Sequence, residues 1–426
     1  MLSAVLLVFF GLALIGMPLA FALGSASFVG LIAADMDMSL LPQRMMNAID
    51  SFPLMAIPFF MLAGELMLRG GIMEDLVSFA NAVVGRVRGG LAHVTVIAAM
   101  ALSAVSGVAV AGASAIGSTL IPSLRESYGD GYAASVVAAS ANLGPIIPPS
   151  AAMIVYAIMA GQSVSVGGLF MAGVVPGLVL AAAMMAVCSF IAWRRGYPLT
   201  GEKFSLRQVL VRARKSFFVF MMPIVVIGGI VGGVFTPTEG AAIAVVYALA
   251  VGFFGTRQLT LRDLPPALFR AAVTAAVVGA LIAFASCITF LFTIDLLPMR
   301  LSGWIQNATE DPLVFILLVM AVLILVGMFI ESNAAYIMLA PLFAPIALEF
   351  GIDPLYFGFL FVLNLVVGML TPPVGVLLFV VSGISGVPIT RVFRDVWPFI
   401  LVQYGMIAVC LAYPPIVTTL PRLLGY

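Results

Sequence analysis

The chain has 426 residues, of which 63% are hydrophobic and 9% charged, with 19 Lys and Arg, 18 Asp and Glu and a single histidine. A soluble domain carries about a quarter charged residues, so water is not the solvent for most of this surface. A formal net charge of +1 with no basic tract excludes a nucleic-acid partner, and membrane lipid is the expected surrounding.

In chain order, the opening MLSAVLLVFFGLALIG has no basic n-region and runs straight into a second apolar stretch, so Met1 onward is read as mature protein. Apolar runs long enough to cross a bilayer as helices fall at roughly 2–16, 18–34, 52–69, 130–160, 167–193, 217–235, 239–255, 271–294, 354–383 and 397–418. Two further apolar blocks, 91–126 and 312–350, are too long for one helix. Each is interrupted midway, by SAVSGVAVAGAS (103–114) and by ESNAA (331–335), and each predicts a re-entrant hairpin. The fold class is therefore all-α and polytopic, with about ten spanning helices and two re-entrant hairpins. Cys188, Cys287 and Cys410 lie far apart in apolar stretches and suggest neither disulfide nor zinc site.

Lysine and arginine orient the chain. Placing 69–90, 125–130, 194–215, 256–270 and 386–396 on one side collects 16 of the 19 basic residues there, which makes that side cytoplasmic and both termini periplasmic. Each half then carries a broken hairpin, a short acidic turn (ESYGD at 126–130, EFGID at 349–353) and an apolar helix interrupted by prolines (GPIIPPS at 144–150, GMLTPPV at 368–374). The two turns fall on opposite sides, so 1–193 and 216–426 read as inverted repeats joined by a basic linker at 194–215.

Backbone leaves a helix at membrane depth only where it is buried or lines a cavity, so the breaks point to a site. Gly144, Pro145, Pro148 and Pro149 interrupt one helix, and Gly368, Pro372 and Pro373 the other. Proline frees carbonyls of the preceding turn, and free carbonyls suit a hard cation; an ordinary kink is the alternative. Ser103, Ser106, Ser114 and Ser118, with Ser332 and Asn333, place neutral oxygens near the hairpin tips. They fit sodium and a polar substrate, and equally helix–helix hydrogen bonding. Glu331 is the one acid of the second interruption and is either functional or merely solvates the tip. Glu239 in TPTEG reads as a helix cap. His93 reads as an interfacial side chain, and Gly228, Gly229, Gly232 and Gly233 as close helix packing.

Four segments, GVFTPTEGAAIAVVYAL (233–249), ANLGPIIPPS (141–150), MFIESNAAYIMLAPLFAP (328–345) and GMLTPPVG (368–375), resemble the large membrane subunit of tripartite ATP-independent periplasmic (TRAP) transporters. The resemblance extends over nearly the whole chain. It implies a non-enzymatic, sodium-coupled importer of an organic acid in a bacterial inner membrane, moving substrate by an elevator-like shift of a transport domain against a scaffold. It implies no cofactor, with Na+ as coupling ion, and two partners: a small four-helix membrane subunit and a periplasmic substrate-binding protein. By the family's pattern the sodium ligands map to Ser106, Gly144, Ile147 and Pro149, and through the repeat to Ser332, Asn333, Gly368, Thr371 and Pro373. Ser103, Ser114, Asn142 and Glu331 are the candidates for substrate contact. The first tip departs from the family, with Val108 and Gly112 where a hydroxyl and an acid stand in relatives. A stand-alone sodium/divalent-anion symporter is the alternative transporter reading; an intramembrane enzyme lacks any legible dyad, paired acids or metal cluster.

Overall fold

In the computed structural model, residues 1–84, 86–161, 163–199 and 205–426 are described; the side chains of residues 103–106 and 308 lie outside that description. The described residues form helices α1 (Leu2–Leu14), α2 (Leu19–Ala33), α3 (Leu40–Ile49), α4 (Ala56–Arg69), α5 (Ile72–Val84), α6 (Gly90–Ser106) and α7 (Ala109–Tyr128). They continue as α8 (Asp130–Ala141), α9 (Ala151–Ala160), α10 (Val166–Arg194), α11 (Leu206–Lys215), α12 (Phe217–Val231), α13 (Pro237–Ala250) and α14 (Leu264–Ile294). The last third holds α15 (Leu297–Ala308), α16 (Pro312–Phe329), α17 (Ser332–Glu349), α18 (Pro354–Gly368), α19 (Val376–Ser385), α20 (Ile389–Ala412) and α21 (Pro415–Leu423).

Seven described helical stretches are long and apolar enough to cross a membrane, eight if the pair α11–α12, bent by 59°, counts as one span. The two opening runs fall short of the expected spans. α1 and α2 hold 13 and 15 residues, about 20 and 22 Å of rise, because Gly16 (φ +90°) and Pro18 turn the chain between them. α14 is longer than read from sequence, and α20 begins at Ile389 rather than near 397. The amphipathic helices α3, α5, α15 and α21 escaped the search for apolar runs. The basic linker also contains a helix: α11 packs on α5, where Lys215 Nζ lies 3.0 Å from Asp75 Oδ1 and Arg212 donates to the Ser78 carbonyl at 3.0 Å.

Both long apolar blocks fold back on themselves. The first turns at Gly107 and Val108, the second at Ile330 and Glu331. Each arm of the second holds 18 residues, about 27 Å of rise, so length alone does not separate an arm from a span; the place where the tip lands does. Succession and length recur in the two halves. α6 to α10 hold 17, 20, 12, 10 and 29 residues, and α16 to α20 hold 18, 18, 15, 10 and 24. The halves also interlock, since α7 packs on α19 and α17 packs on α9. Around this core α4 packs on α13 and α14, and α14 on α2 and α3.

Helix starts are set by local chemistry. Asp353 accepts from the amides of Leu355 and Tyr356 (2.9 and 3.2 Å) ahead of Pro354. Thr236 and Glu239 form a reciprocal capping box with Pro237 at the first helical position, the cap expected at TPTEG. The glycine pairs meet the expectation only in part: Gly229 is tightly packed against the Phe235 ring and a Cβ on Gly232 would sit 2.9 Å from the Gly228 carbonyl, while Gly228 and Gly233 have nothing close by and Gly233 (φ +69°) makes the turn into α13. His93 is likewise no interfacial group. It is 5% exposed, with Nδ1 2.9 Å from the Gly89 carbonyl and Nε2 2.9 Å from Ser189 Oγ, and it fastens α6 to α10. The three cysteines are buried.

Glycines let the hairpins and the breaks approach backbone to backbone. A Cβ on Gly368 would sit 2.7 Å from Gly327 Cα, and one on Gly107 (φ +60°) 2.7 Å from the Ala151 amide. Gly368→Val is therefore expected to lower the thermal midpoint of the purified chain, at a cost of about 1–3 kcal/mol or more. Gly228→Ala, in open space on α12, is expected to raise it slightly, by about 0.5–1 kcal/mol. A thermal unfolding scan of both variants measures the two signs.

Candidate functional site

Between α8 and α9, and again between α18 and α19, the chain leaves the helix for a short irregular stretch (142–150 and 369–375) containing a cis Pro–Pro bond, Pro148–Pro149 and Pro372–Pro373. Each hairpin tip lies on the break of its own half. In the first, Gly107 approaches Pro149, Ser150 and Ala151, and Gly144 approaches Val108 and Ala109. In the second, Gly327 packs on Leu365 and Gly368, and the Gly375 amide donates to the Met328 carbonyl at 3.0 Å.

The proline-containing breaks leave carbonyls without donors. Among the described residues none of the carbonyls of Gly144, Ile147, Pro149, Thr371 or Pro373 accepts a hydrogen bond. Gly144, Ile147, Pro149 and Thr371 are buried, whereas Pro373 is exposed. A buried carbonyl without a donor costs free energy unless something else meets its lone pairs, and a hard cation with oxygen ligands does so. The Gly368 carbonyl differs, since it already accepts from the Thr371 amide at 2.9 Å. Thr371 Oγ1 donates to the Val367 carbonyl (2.8 Å) and lies 3.0 Å from Tyr404 Oη.

The other sequence candidates separate into groups. Glu331 caps α17, its carboxylate accepting from the Asn333 and Ala334 amides (2.9 and 3.3 Å) and from Asn333 Nδ2 (2.9 Å), with Ser332 Oγ at 3.4 Å. The acid is thus surrounded by its own helix start, and Ser332 and Asn333 face it rather than the break. Ser103 and Ser106 have side chains outside the described residues. Ser114 is not at the tip; it sits on the exposed face of α7, donating to Val110 O at 3.0 Å, and lines a cavity of about 610 Å³ with Ser118, Thr119, Arg69 and Arg270. A volume of that order suits a small organic solute.

Asn142 is fully buried where the two halves cross. Its Nδ2 donates to the Val366 carbonyl (2.8 Å) and to Gln403 Oε1 (2.9 Å), while Gln403 Nε2 reaches the Ala139 carbonyl at 3.4 Å. Asn142 Oδ1 has no partner among the described residues, and neither do Ser140 Oγ and Asn364 Oδ1, both buried nearby on the broken helices. Sequence reading passed over Gln403. The signal was present, since it is a lone amide in the otherwise apolar run 397–418, and a polar residue inside a membrane helix is a candidate by default.

Broken helices buried under hairpin tips, with a polar cavity beside them, define a polytopic helical membrane protein of the solute-transporter class. The profile of the family described as "Tripartite ATP-independent periplasmic transporter, DctM component" matches residues 6–416. The sialic acid TRAP transporter large permease protein SiaM of Vibrio cholerae is 36% identical over 419 residues, covering 98% of this chain and 97% of that protein. The C4-dicarboxylate TRAP transporter large permease protein DctM of Pseudomonas aeruginosa is 37% identical over 383 residues, covering 90% and 89%. The chain belongs to this family: it is a DctM-type large permease component, a transporter subunit and not an enzyme. In fold alone it is similar to the YdaH transporter of Alcanivorax borkumensis, with a TM-score of 0.61 at 15% identity, covering 88% of this chain and 87% of that one.

Asn142→Leu removes the amide that joins the broken helix of one half to that of the other and leaves Val366 O and Gln403 Oε1 unpaired. The expected loss is about 1–3 kcal/mol of stability. The accompanying double variant Asn142→Leu/Gln403→Leu, which removes both polar partners, is expected to recover part of that loss in the same thermal scan.

Proposed function

We propose that the chain is the membrane-embedded transport subunit of a sodium-driven importer of an organic acid. It would receive substrate from a periplasmic binding protein and work beside a small four-helix membrane subunit. The observation that carries the reading is the pair of breaks, each with bared carbonyls, each covered by the tip of its own hairpin. The carbonyls of Gly144, Ile147 and Pro149, with Ser106 of the first hairpin, are the proposed ligand set of one half, and the Thr371 carbonyl is its counterpart in the other, where Ser332 and Asn333 are turned to Glu331 and the Gly368 carbonyl is already occupied; Ser114 borders the solute-sized cavity. Carbonyl and hydroxyl oxygens without a net charge match Na+ in hardness while adding no negative charge to repel a carboxylate.

The recurrence of α6–α10 as α16–α20, together with the opposite sides assigned to 126–130 and 349–353 by the basic residues, supports inverted repeats in an inner membrane with both termini periplasmic. The two hairpins and two broken helices then form the mobile unit, and α2, α4, α13 and α14 the frame against which it slides. Sodium favours whichever conformation binds it more tightly, which is how its gradient drives the solute. The relatives named for sialic acid and C4-dicarboxylates both handle carboxylates, which supports an organic acid as the solute.

Uptake of labelled organic acids by proteoliposomes holding this chain, its small subunit and a binding protein is expected to require both an inward sodium gradient and the soluble protein. Sodium-driven uptake without that protein would replace the tripartite reading with a stand-alone symporter, and flux indifferent to the gradient would sink the reading altogether. Thr371→Val, which alters the hydroxyl beside the second break, is expected to raise the sodium concentration for half-maximal uptake about tenfold, the equivalent of one lost hydrogen bond.

A further inference from the structure

One face of α14 lines cavities along nearly its whole length. At one end Arg270 borders the cavity of about 610 Å³, together with Glu65 and Arg69 of α4 and Ser114, Ser118 and Thr119 of α7. A small extension of about 50 Å³, sharing Glu65, Leu68 and Ala111, continues along Ala271 and Thr274 to Val108 at the first hairpin tip. Next, Ala275, Val278, Gly279 and Ile282 line a space of about 190 Å³ whose walls carry only apolar side chains. Beyond Ile282 a third cavity, of about 660 Å³, is bordered by Ser286, Thr289, Phe290 and Thr293 of α14 and by Arg44 of α3. The lining positions recur every three or four residues, one stripe of a helix. From Arg270 to Thr293 the stripe rises about 35 Å, enough to cross the hydrocarbon.

Both polar ends present guanidinium groups with unused donors. Arg69 Nε is buried without a hydrogen-bond acceptor; Glu65 and Asp263 come no nearer than 3.9 and 4.0 Å, too far for hydrogen bonds. Arg270 has no carboxylate partner among the described residues. At the other end Arg44 lies over the Phe290 ring, 3.9 Å from its centroid, also without a carboxylate among the described residues. A ring face orients a guanidinium while leaving its edge free. Free guanidinium edges are the complement of a carboxylate, which they hold through two parallel hydrogen bonds. The apolar stretch between is where an ionised carboxylate cannot rest.

We propose that this stripe of α14 is the fixed wall of the solute's path, with Arg69 and Arg270 holding the carboxylate at one mouth, Arg44 on Phe290 receiving it at the other, and Ala275–Ile282 the barrier between. The identity of the solute as an organic anion rests on the function proposed above. The Arg270 mouth lies on the side that carries most of the basic loops, so Arg44 meets the incoming acid and Arg69 with Arg270 the departing one.

Cysteine accessibility in the reconstituted full-length chain tests this without requiring transport, so its failure and a failure of sodium-driven uptake are separate results. The native cysteines are buried. Thr274→Cys and Thr289→Cys, made singly, are treated with a sulfonate-bearing and a quaternary-ammonium-bearing methanethiosulfonate, and rates are read by mass shift. The anionic reagent is expected to react about tenfold faster than the cationic one at both positions. Arg270→Gln with Arg69→Gln should abolish that preference at position 274, and Arg44→Gln at position 289. Gly279→Cys should react far more slowly with either reagent. Should Thr274→Cys fail to fold, Ser118→Cys on α7 reads the adjoining cavity that Arg69 and Arg270 border, with the same expectation. Equal rates for the two reagents at the mouths, or a waist that labels as fast as they do, would overturn the proposal.

Discussion

In hydrocarbon a peptide carbonyl has no water to turn to, and the rest of this structure depends on how that constraint is met. Helices satisfy it internally along most of the chain. At 142–150 and 369–375 they do not, because proline supplies no donor and the turn frees the carbonyls before it. Such segments survive only when sheltered by protein. The shelter is a hairpin tip, and it fits because Gly107, Gly327 and Gly368 let backbone approach backbone where a Cβ would collide. The hairpins, the glycines at their tips and the interlocking of the two halves are all consequences of hiding two broken helices from lipid.

The same shelter concentrates polarity. Asn142, Gln403, Ser140 and Asn364 lie in the interior with several polar atoms unpartnered, an arrangement that would be costly in a protein selected for stability alone. In a transport subunit, unmet oxygens beside a break are what a cation requires. The family membership gives that chemistry its context. The two larger cavities on α14 lie where it meets α7 at one end and α9 and α17 at the other.

Several features were legible from residue order because membrane depth punishes exceptions so heavily. The two interrupted blocks announced hairpins, and the proline clusters announced breaks. The cap at Glu239 followed from Thr236, Pro237 and the acid three residues after the threonine. What was misplaced had physical causes. Ser114 was put at the first tip because 103–114 is a run of mostly small residues punctuated by serines, yet only Gly107 and Val108 turn; Ser114 lies on the arm, facing a cavity. α5 and α15 were missed because their apolar residues form a stripe rather than a run. His93 was put at an interface because neighbouring basic residues suggested one, whereas Gly89 and Ser189 satisfy both ring nitrogens inside.

Composition and order by themselves determined that the chain lives in lipid, that it is helical, that two helices break and two blocks fold back, and, through four short segments, the family. These follow from local rules: the length of an apolar run, the missing donor of proline, the charge of a loop. Only the tertiary structure decided which tip covers which break, that Asn142 reaches Val366 and Gln403 in the other half, and that Arg69, Arg270 and Arg44 border the same face of α14. Those pairings join residues up to 261 positions apart, and nothing in the local pattern encodes them. They arise from packing, which chooses among the many ways of hiding the same polar groups the one in which all of them fit together.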